Sequence, residues 1–227
     1  MGIRRRDIDL WRKLQQNGEI AYRLAPEASC SIAGRTDVEA WGEFVKRTLG
    51  QKVLDIGCGP YPRPPYLNGI AAAYVGVDPL LPYQGDGVAF IQAVGEYLPF
   101  RDATFDTVII AGSLDHVLSE SEVLSEAHRC LTDSGHLLVW YALVDHVPMR
   151  LMRRIKKTIF PPARSEAEKP RWLQITEALS VPRGAVDKYH RKYTDDVRLQ
   201  HNLQHLGFTV CRRERHNTHH VFLDVRK

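Results

Sequence analysis

From Gln51 onward the chain alternates between two hydrophobic rhythms. Short β-branched runs, KVLDI (52–56), AYVGVD (73–78), VAFIQA (88–93), FDTVIIAG (105–112) and GHLLVWYAL (135–143), read as strands. Before the last of them, residues 119–131 carry a helical period. Val123, Leu124, Ala127, Cys130 and Leu131 share one face, Ser119 or Ser121 supplies the N-cap, and TDSG (132–135) is the turn into the next strand. The C-terminal part repeats the rhythm: DDVRLQHNLQHLGFTVCRRE (195–214) and HHVFLDVR (219–226) predict a helix followed by two strands across a polar turn, a hairpin that closes the sheet. Strands alternating with helices predict a parallel sheet covered on both faces, with the ligand beyond the strand C-termini.

Two segments fall outside this rhythm. Residues 1–48 read as amphipathic helices broken near APEASCSIAG, a helical cap over the site, leaving 49–227 as the main domain. Residues 147–188 form a Pro- and Arg-containing insertion after the fifth strand, a basic lid. From Arg150 to Arg171 the local charge is +6, and Leu151, Met152, Ile155 and Ile159 share a face, so a basic amphipathic helix is expected near 150–160. Three roles compete for it: a solvated lid helix, a peripheral contact with a membrane surface, and a site for an anionic substrate.

Composition narrows the class. A chain of 227 residues, 44% hydrophobic, has one domain's worth of core plus an appendage, and a net charge of +4 from 31 basic and 27 acidic residues does not suggest a nucleic-acid binder. Cys30, Cys58, Cys130 and Cys211 form no C-x-x-C pair, which argues against a zinc knuckle or disulfide framework. No apolar region follows the basic start MGIRRRDIDLWRKL, and the longest apolar run, LLVWYALV (137–144), is far below the roughly 20 residues of a bilayer span. A cytoplasmic protein is expected.

The loop after the first strand, VLDIGCGP (53–60), asks for a particular ligand. A dinucleotide loop uses three glycines around a pyrophosphate; here Gly57 and Gly59 are present, Pro62 stands third, and Asp55 adds a negative charge. A cationic ligand tolerates that charge. S-adenosylmethionine, with a sulfonium, an ammonium and no phosphate, suits the pattern better than a nicotinamide dinucleotide.

With this loop, an ordered series of segments resembles the class I S-adenosylmethionine-dependent methyltransferases, in the small-molecule and glycan group. VLDIGCGP matches their first motif, YVGVDP ends in Asp78, and GEYLPFRDATFDTVIIAGSLDHV resembles their acidic-x-L-P-F segment and fourth strand. SEAHRCLTDSGHLLV and YHRKYTDDVRLQHNLQHLGF complete the series. The resemblance implies an α/β fold, a doubly wound, seven-stranded, mostly parallel Rossmann-like sheet, with S-adenosylmethionine as cofactor. It implies that Asp55, Gly57 and Gly59 hold the methionine end and Asp78 the ribose. Gly95 and Glu96 then fall beside the adenine, and Ser113 and Leu114 line the pocket. Two departures stand out: Val94 replaces an Asp common before the Gly-Glu pair, and the prolines of GPYPRPPYLN should delay or shorten the first helix.

Methyl transfer from a sulfonium needs alignment above all, worth about 7–11 kcal/mol; a hydroxyl acceptor gains further from a base. His116 in SLDHV, with Asp115 beside it, follows the fourth strand; it is either a base or acceptor contact, or a histidine packed over the cofactor. His146 in LVDHVP leaves the fifth strand at the same sheet edge, with a loop hydrogen bond as its alternative role. His190 in YHRKYTDD lines the pocket or is structural, and Thr194 N-caps the next helix. His216, His219 and His220 lack metal-ligand spacing, so no metal is expected. The expected reaction is O-methylation of a small-molecule or glycan hydroxyl. A lipid or quinone methyltransferase at a membrane surface and a non-catalytic cofactor-binding partner are the alternatives; oligomeric state is left open.

Overall fold

The computed structural model describes residues 4–24, 35–59, 63–70, 72–80, 89–143, 171–217 and 219–227. Seven strands form one sheet: β1 (Lys52–Ile56), β2 (Ala73–Asp78), β3 (Ala89–Gln92), β4 (Phe105–Ala111), β5 (Leu131–Ala142), β6 (Thr209–His216) and β7 (His220–Arg226), in the order β3-β2-β1-β4-β5-β7-β6. The first five run parallel, while β7 is antiparallel to both β5 and β6. The chain thus reverses at β1, where strand order turns from β2 on one side to β4 on the other. That is the switch point at which open α/β sheets bind ligands.

Five helices are described: α1 (Arg5–Leu24), α2 (Thr36–Lys46), α3 (Glu120–Cys130), α4 (Arg171–Ala178) and α5 (Asp196–His205). They divide the core in two. On one face Leu54, Ile56, Val108 and Ile110 pack against Val123, Leu124 and Ala127 of α3 and Leu199 and Leu203 of α5. On the other, Val53, Ile109, Leu138 and Trp140 meet Val38, Trp41, Phe44 and Val45 of α2. The period of two along β1 and β4 sends alternate residues to these two layers. Trp41 anchors the second layer, its ring 5.4 Å from Phe44 and 5.1 Å from Phe222.

Several expectations need correcting. The segment 1–48 is not one cap: α2 is core, because a helix with Trp41 and Phe44 on one face gains more by burying them against the sheet than over an aqueous site. Only α1 lies over the sheet edge, packed on α4. TDSG is not a separate turn; the chain is extended from Leu131 onward, and the extra residues form a bulge against β4 between the pairs Phe105/Leu131 and Thr107/His136. The N-cap of α5 is Asp195, whose carboxylate accepts from the Arg198 N–H at 2.8 Å, rather than Thr194, which is buried. For α3 the cap is Ser119, which accepts from Glu122 N–H.

The proline-rich loop has the effect its composition suggests. Between β1 and β2 the described residues contain only a 3₁₀ turn, Pro65–Leu67, with Pro64 preceding it. Tyr66 and Leu67 of this turn enter the α2 layer. The expected basic helix near 150–160 lies outside the described residues.

Candidate active site

The site begins at the end of β1, where the chain must turn tightly under a ligand. Gly57 and Gly59 both have positive φ, 75° and 76°, a conformation that L side chains rarely adopt. A Cβ at Gly57 would stand 2.4 Å from the Ser113 side chain, so the close approach excludes any larger residue. Ser113 Oγ in turn donates to the Ile56 carbonyl at 2.9 Å, tying the end of β4 to the glycine turn. Beside the turn, at the end of β2, Asp78 accepts from the Gly59 N–H and the Leu80 N–H, each at 2.9 Å. Burial pushes its carboxyl up to about 6. After β3, Glu96 accepts from the N–H groups of Leu118 and Ser119 at 2.7 and 3.0 Å, which pins the loop before α3.

These groups open on a cavity of about 350 Å³. Gly57, Gly59, Asp78, Gly95, Glu96 and Ser113 line its sheet side, and Trp11, Gln15, Gly18 and Tyr22 of α1 line the opposite side. Its third wall is polar, made by His116, Tyr189 and His190. The α1 helix is fastened there: Trp11 Nε1 and Gln15 Nε2 donate to the His116 carbonyl at 2.9 and 3.3 Å.

The polar wall is a connected cluster. The rings of His116 and His190 lie 4.3 Å apart, tilted by 42°. His190 Nδ1 is held by both oxygens of Asp187 at 2.9 and 2.8 Å, and Asp187 also accepts from Tyr193 Oη at 2.7 Å. Asp115 faces both rings, 3.4 Å from His190 Nε2 and 3.8 Å from His116 Nε2. Burial works against charge on both rings. At His116 it prevails and the ring is held below the usual imidazole range, whereas Asp187 and Asp115 overcome it at His190 and raise that ring.

Two residues expected at the cofactor do not line the cavity. Asp55 faces the α2 layer because it alternates with Leu54 and Ile56. Its Oδ2 accepts from Tyr66 Oη and Tyr74 Oη at 2.6 and 3.1 Å, Oδ1 has no partner among the described residues, and burial pushes the carboxyl up to about 7. Leu114, 1% exposed, sits in the α3 layer of the core. His146 lies outside the described residues. In the terminal hairpin, His220 accepts from Trp140 Nε1 at 2.9 Å and His216 stacks on Phe222, so both serve packing.

A family model described as a methyltransferase domain matches residues 54–139, from the glycine turn through β5. These residues match a methyltransferase domain, and the sheet around them has the fold of the class I, S-adenosylmethionine-dependent methyltransferases. Among curated proteins, the ubiquinone/menaquinone biosynthesis C-methyltransferase UbiE of Hahella chejuensis is 46% identical over 55 residues, 24% of this chain and 22% of that protein. The tRNA U34 carboxymethyltransferase of Methylococcus capsulatus is 32% identical over 108 residues, 42% of this chain and 33% of that protein. The matches thus span only about a fifth to a third of these relatives' length. Among solved structures, the 1,6-didemethyltoxoflavin-N1-methyltransferase of Burkholderia thailandensis, bound to 1,6-didemethyltoxoflavin and S-adenosylhomocysteine, superposes with a TM-score of 0.56. That match has 18% identity and covers 83% of this chain and 76% of the other.

The residues of this methyltransferase domain suit the cofactor. The positive-φ turn at Gly57 and Gly59 leaves backbone on the cavity wall, Asp78 and Glu96 add carboxylates to the lining, and Val77, Ala93 and Val94 give an apolar patch for a flat ring. Trp11, Gln15, Tyr22 and Asp187 were not legible as site residues. For Asp187 a signal existed, an Asp three residues before His190 in DKYH; for the α1 residues none did, because their role depends on where the helix lands.

Proposed function

We propose that this chain transfers a methyl group from S-adenosylmethionine to a hydroxyl oxygen of a small-molecule or glycan acceptor. The observation that carries the reading is that one cavity holds both halves of such a site, the glycine turn with Asp78 on one wall and the His116–His190 cluster on another. When bound, the cofactor supplies a methyl already activated by a sulfonium. The protein's task is then to align an acceptor oxygen with it and to exclude water. Asp78 takes the ribose hydroxyls, the turn at Gly57 and Gly59 admits the methionine end, and Glu96 borders the adenine. The roof formed by α1 closes the site, with Trp11 and Tyr22 as apolar contacts for the acceptor. The polar wall receives the acceptor's hydroxyl.

Calorimetric titration with S-adenosylmethionine, S-adenosylhomocysteine and NADH is the first test. Micromolar binding of the first two and none of the third supports the reading, and NADH binding alone would sink it. A second reading, methylation of a quinone-ring carbon, is favoured by the 46% identity to the UbiE segment. Incubation with phenolic, sugar and quinone acceptors, followed by NMR of the product, separates O-methyl from C-methyl signals. Contact with a membrane through residues 150–160 belongs with the quinone reading, and anionic vesicles should then retain the protein. Among the described residues no helix is long and apolar enough to cross a membrane.

A further inference from the structure

We infer that Asp115, His116 and His190 form a site for one divalent transition-metal ion, of the zinc, cobalt or iron(II) class, open toward the acceptor side of the cavity. One ligand atom from each residue lies within 4.8 Å of the others. The hydrogen bonds behind these atoms decide what they can do. Asp187 holds His190 Nδ1 as a donor, and is itself fixed by Tyr193 Oη and by the N–H groups of Tyr189 and His190 at 2.8 Å. In the neutral ring this leaves a lone pair on Nε2, aimed at an Asp115 oxygen 3.4 Å away. His116 meets the backbone of Tyr189, and its Nε2 lies 3.8 Å from Asp115 Oδ1. Two imidazoles and a carboxylate therefore converge on one point, and a metal ion can take the place of the proton between them.

A proton shared across 3.4 Å makes a poor hydrogen bond. A metal ion fits better, since bonds of about 2.1 Å place neighbouring ligands roughly 3.0–3.4 Å apart. The His116 Nε2, 3.8 Å from Asp115 Oδ1, has to move inward. A histidine backed by a carboxylate, as His190 is by Asp187, has the usual outer support of a metal-binding imidazole. Two imidazoles and one carboxylate favour a borderline transition metal over magnesium or calcium. Three protein ligands also leave coordination positions free, and His116 and His190 line the cavity. The ligand class for those positions is a hydroxyl or enol oxygen, which rests on the reading that this wall faces the acceptor.

The other group of similar composition, His136, Cys211 and Asp224, differs in being satisfied internally. His136 Nδ1 is 2.7 Å from Asp224 Oδ1, and Asp224 Oδ2 accepts from Thr48 Oγ1 at 2.8 Å.

The test is titration of the chelator-treated full chain with Co²⁺, read by calorimetry and by d–d absorption, with S-adenosylhomocysteine titrated in parallel. One Co²⁺ per chain is expected. Asp115→Asn and His190→Gln should each weaken cobalt binding at least tenfold, and Asp187→Asn about 10- to 100-fold, with S-adenosylhomocysteine affinity retained. Cys211→Ala should leave cobalt binding unchanged. If one of these variants fails to fold, His116→Gln replaces it with the same expectation. No cobalt uptake by the wild type, or uptake indifferent to these substitutions, overturns the metal site. Cobalt uptake without S-adenosylhomocysteine binding supports the metal site and instead removes the cofactor reading.

Discussion

The glycine turn depends on a single missing atom. Gly57 combines a φ of 75° with a Cβ position 2.4 Å from Ser113. Gly57→Ala should cost at least about 1–2 kcal/mol from backbone strain alone, measured by denaturant unfolding, and should displace Ser113 enough to abolish S-adenosylmethionine binding. At Asp78 the chemistry is charge. Asp78→Asn should weaken the cofactor by about 1.5–3 kcal/mol, the range for hydrogen bonds to a charged group. Because burial raises this carboxyl to about 6, wild-type affinity should fall as pH drops below about 6 and the group takes up a proton. The Asn variant should lose that slope in a calorimetric series from pH 5 to pH 8; an unchanged slope would remove Asp78 from the ribose role.

At the scale of elements, the two N-terminal helices do different work although both are amphipathic. Trp41 of α2 is fully buried among Phe44, Trp140 and Phe222, and truncation to Ala should cost about 3–5 kcal/mol of stability. Trp11 of α1 is only partly buried, lines the cavity and bonds the His116 carbonyl. Trp11→Ala should therefore leave the unfolding midpoint nearly unchanged while raising the KM of the acceptor. Equal losses of stability in the two variants would show that α1 is core. The 3₁₀ turn at Pro65–Leu67 shows how a local rule has a tertiary result, since prolines shorten the connection and Tyr66 is left to pack on α2 and to bond Asp55.

For the whole molecule, the buried carboxylates set how stability responds to pH. Asp55, 0% exposed, has its carboxyl raised to about 7 in the folded chain against 3.8 for the free group. The folded state therefore keeps a proton that the unfolded chain gives up, so stability should decline as pH rises from about 4 through about 7. The slope is at most about 1.4 kcal/mol per pH unit per proton. Asp55→Asn, which keeps the size and the Tyr66 and Tyr74 partners, should flatten this decline in urea denaturation series. A variant as pH-dependent as the wild type would assign the decline to other groups.

Much of the fold was legible because it rests on local periodicity. Runs such as FDTVIIAG and GHLLVWYAL had to be buried strands, VLDIGCGP had to turn tightly at its glycines, and Ser119 had a local partner to cap. Errors arose where a role depends on contacts far along the chain. Strand alternation turned Asp55 away from the cavity, and Leu114 went into the core one residue after Ser113, which faces the site. The elements, the glycine turn and the acidic residue at the end of β2 each follow from neighbours within a few residues and could be read directly. That α2 is core while α1 is roof, and that His116 and His190, far apart in sequence, share Asp115, follows from packing alone. Those contacts come from how whole elements bury their apolar faces, which no single stretch of sequence contains.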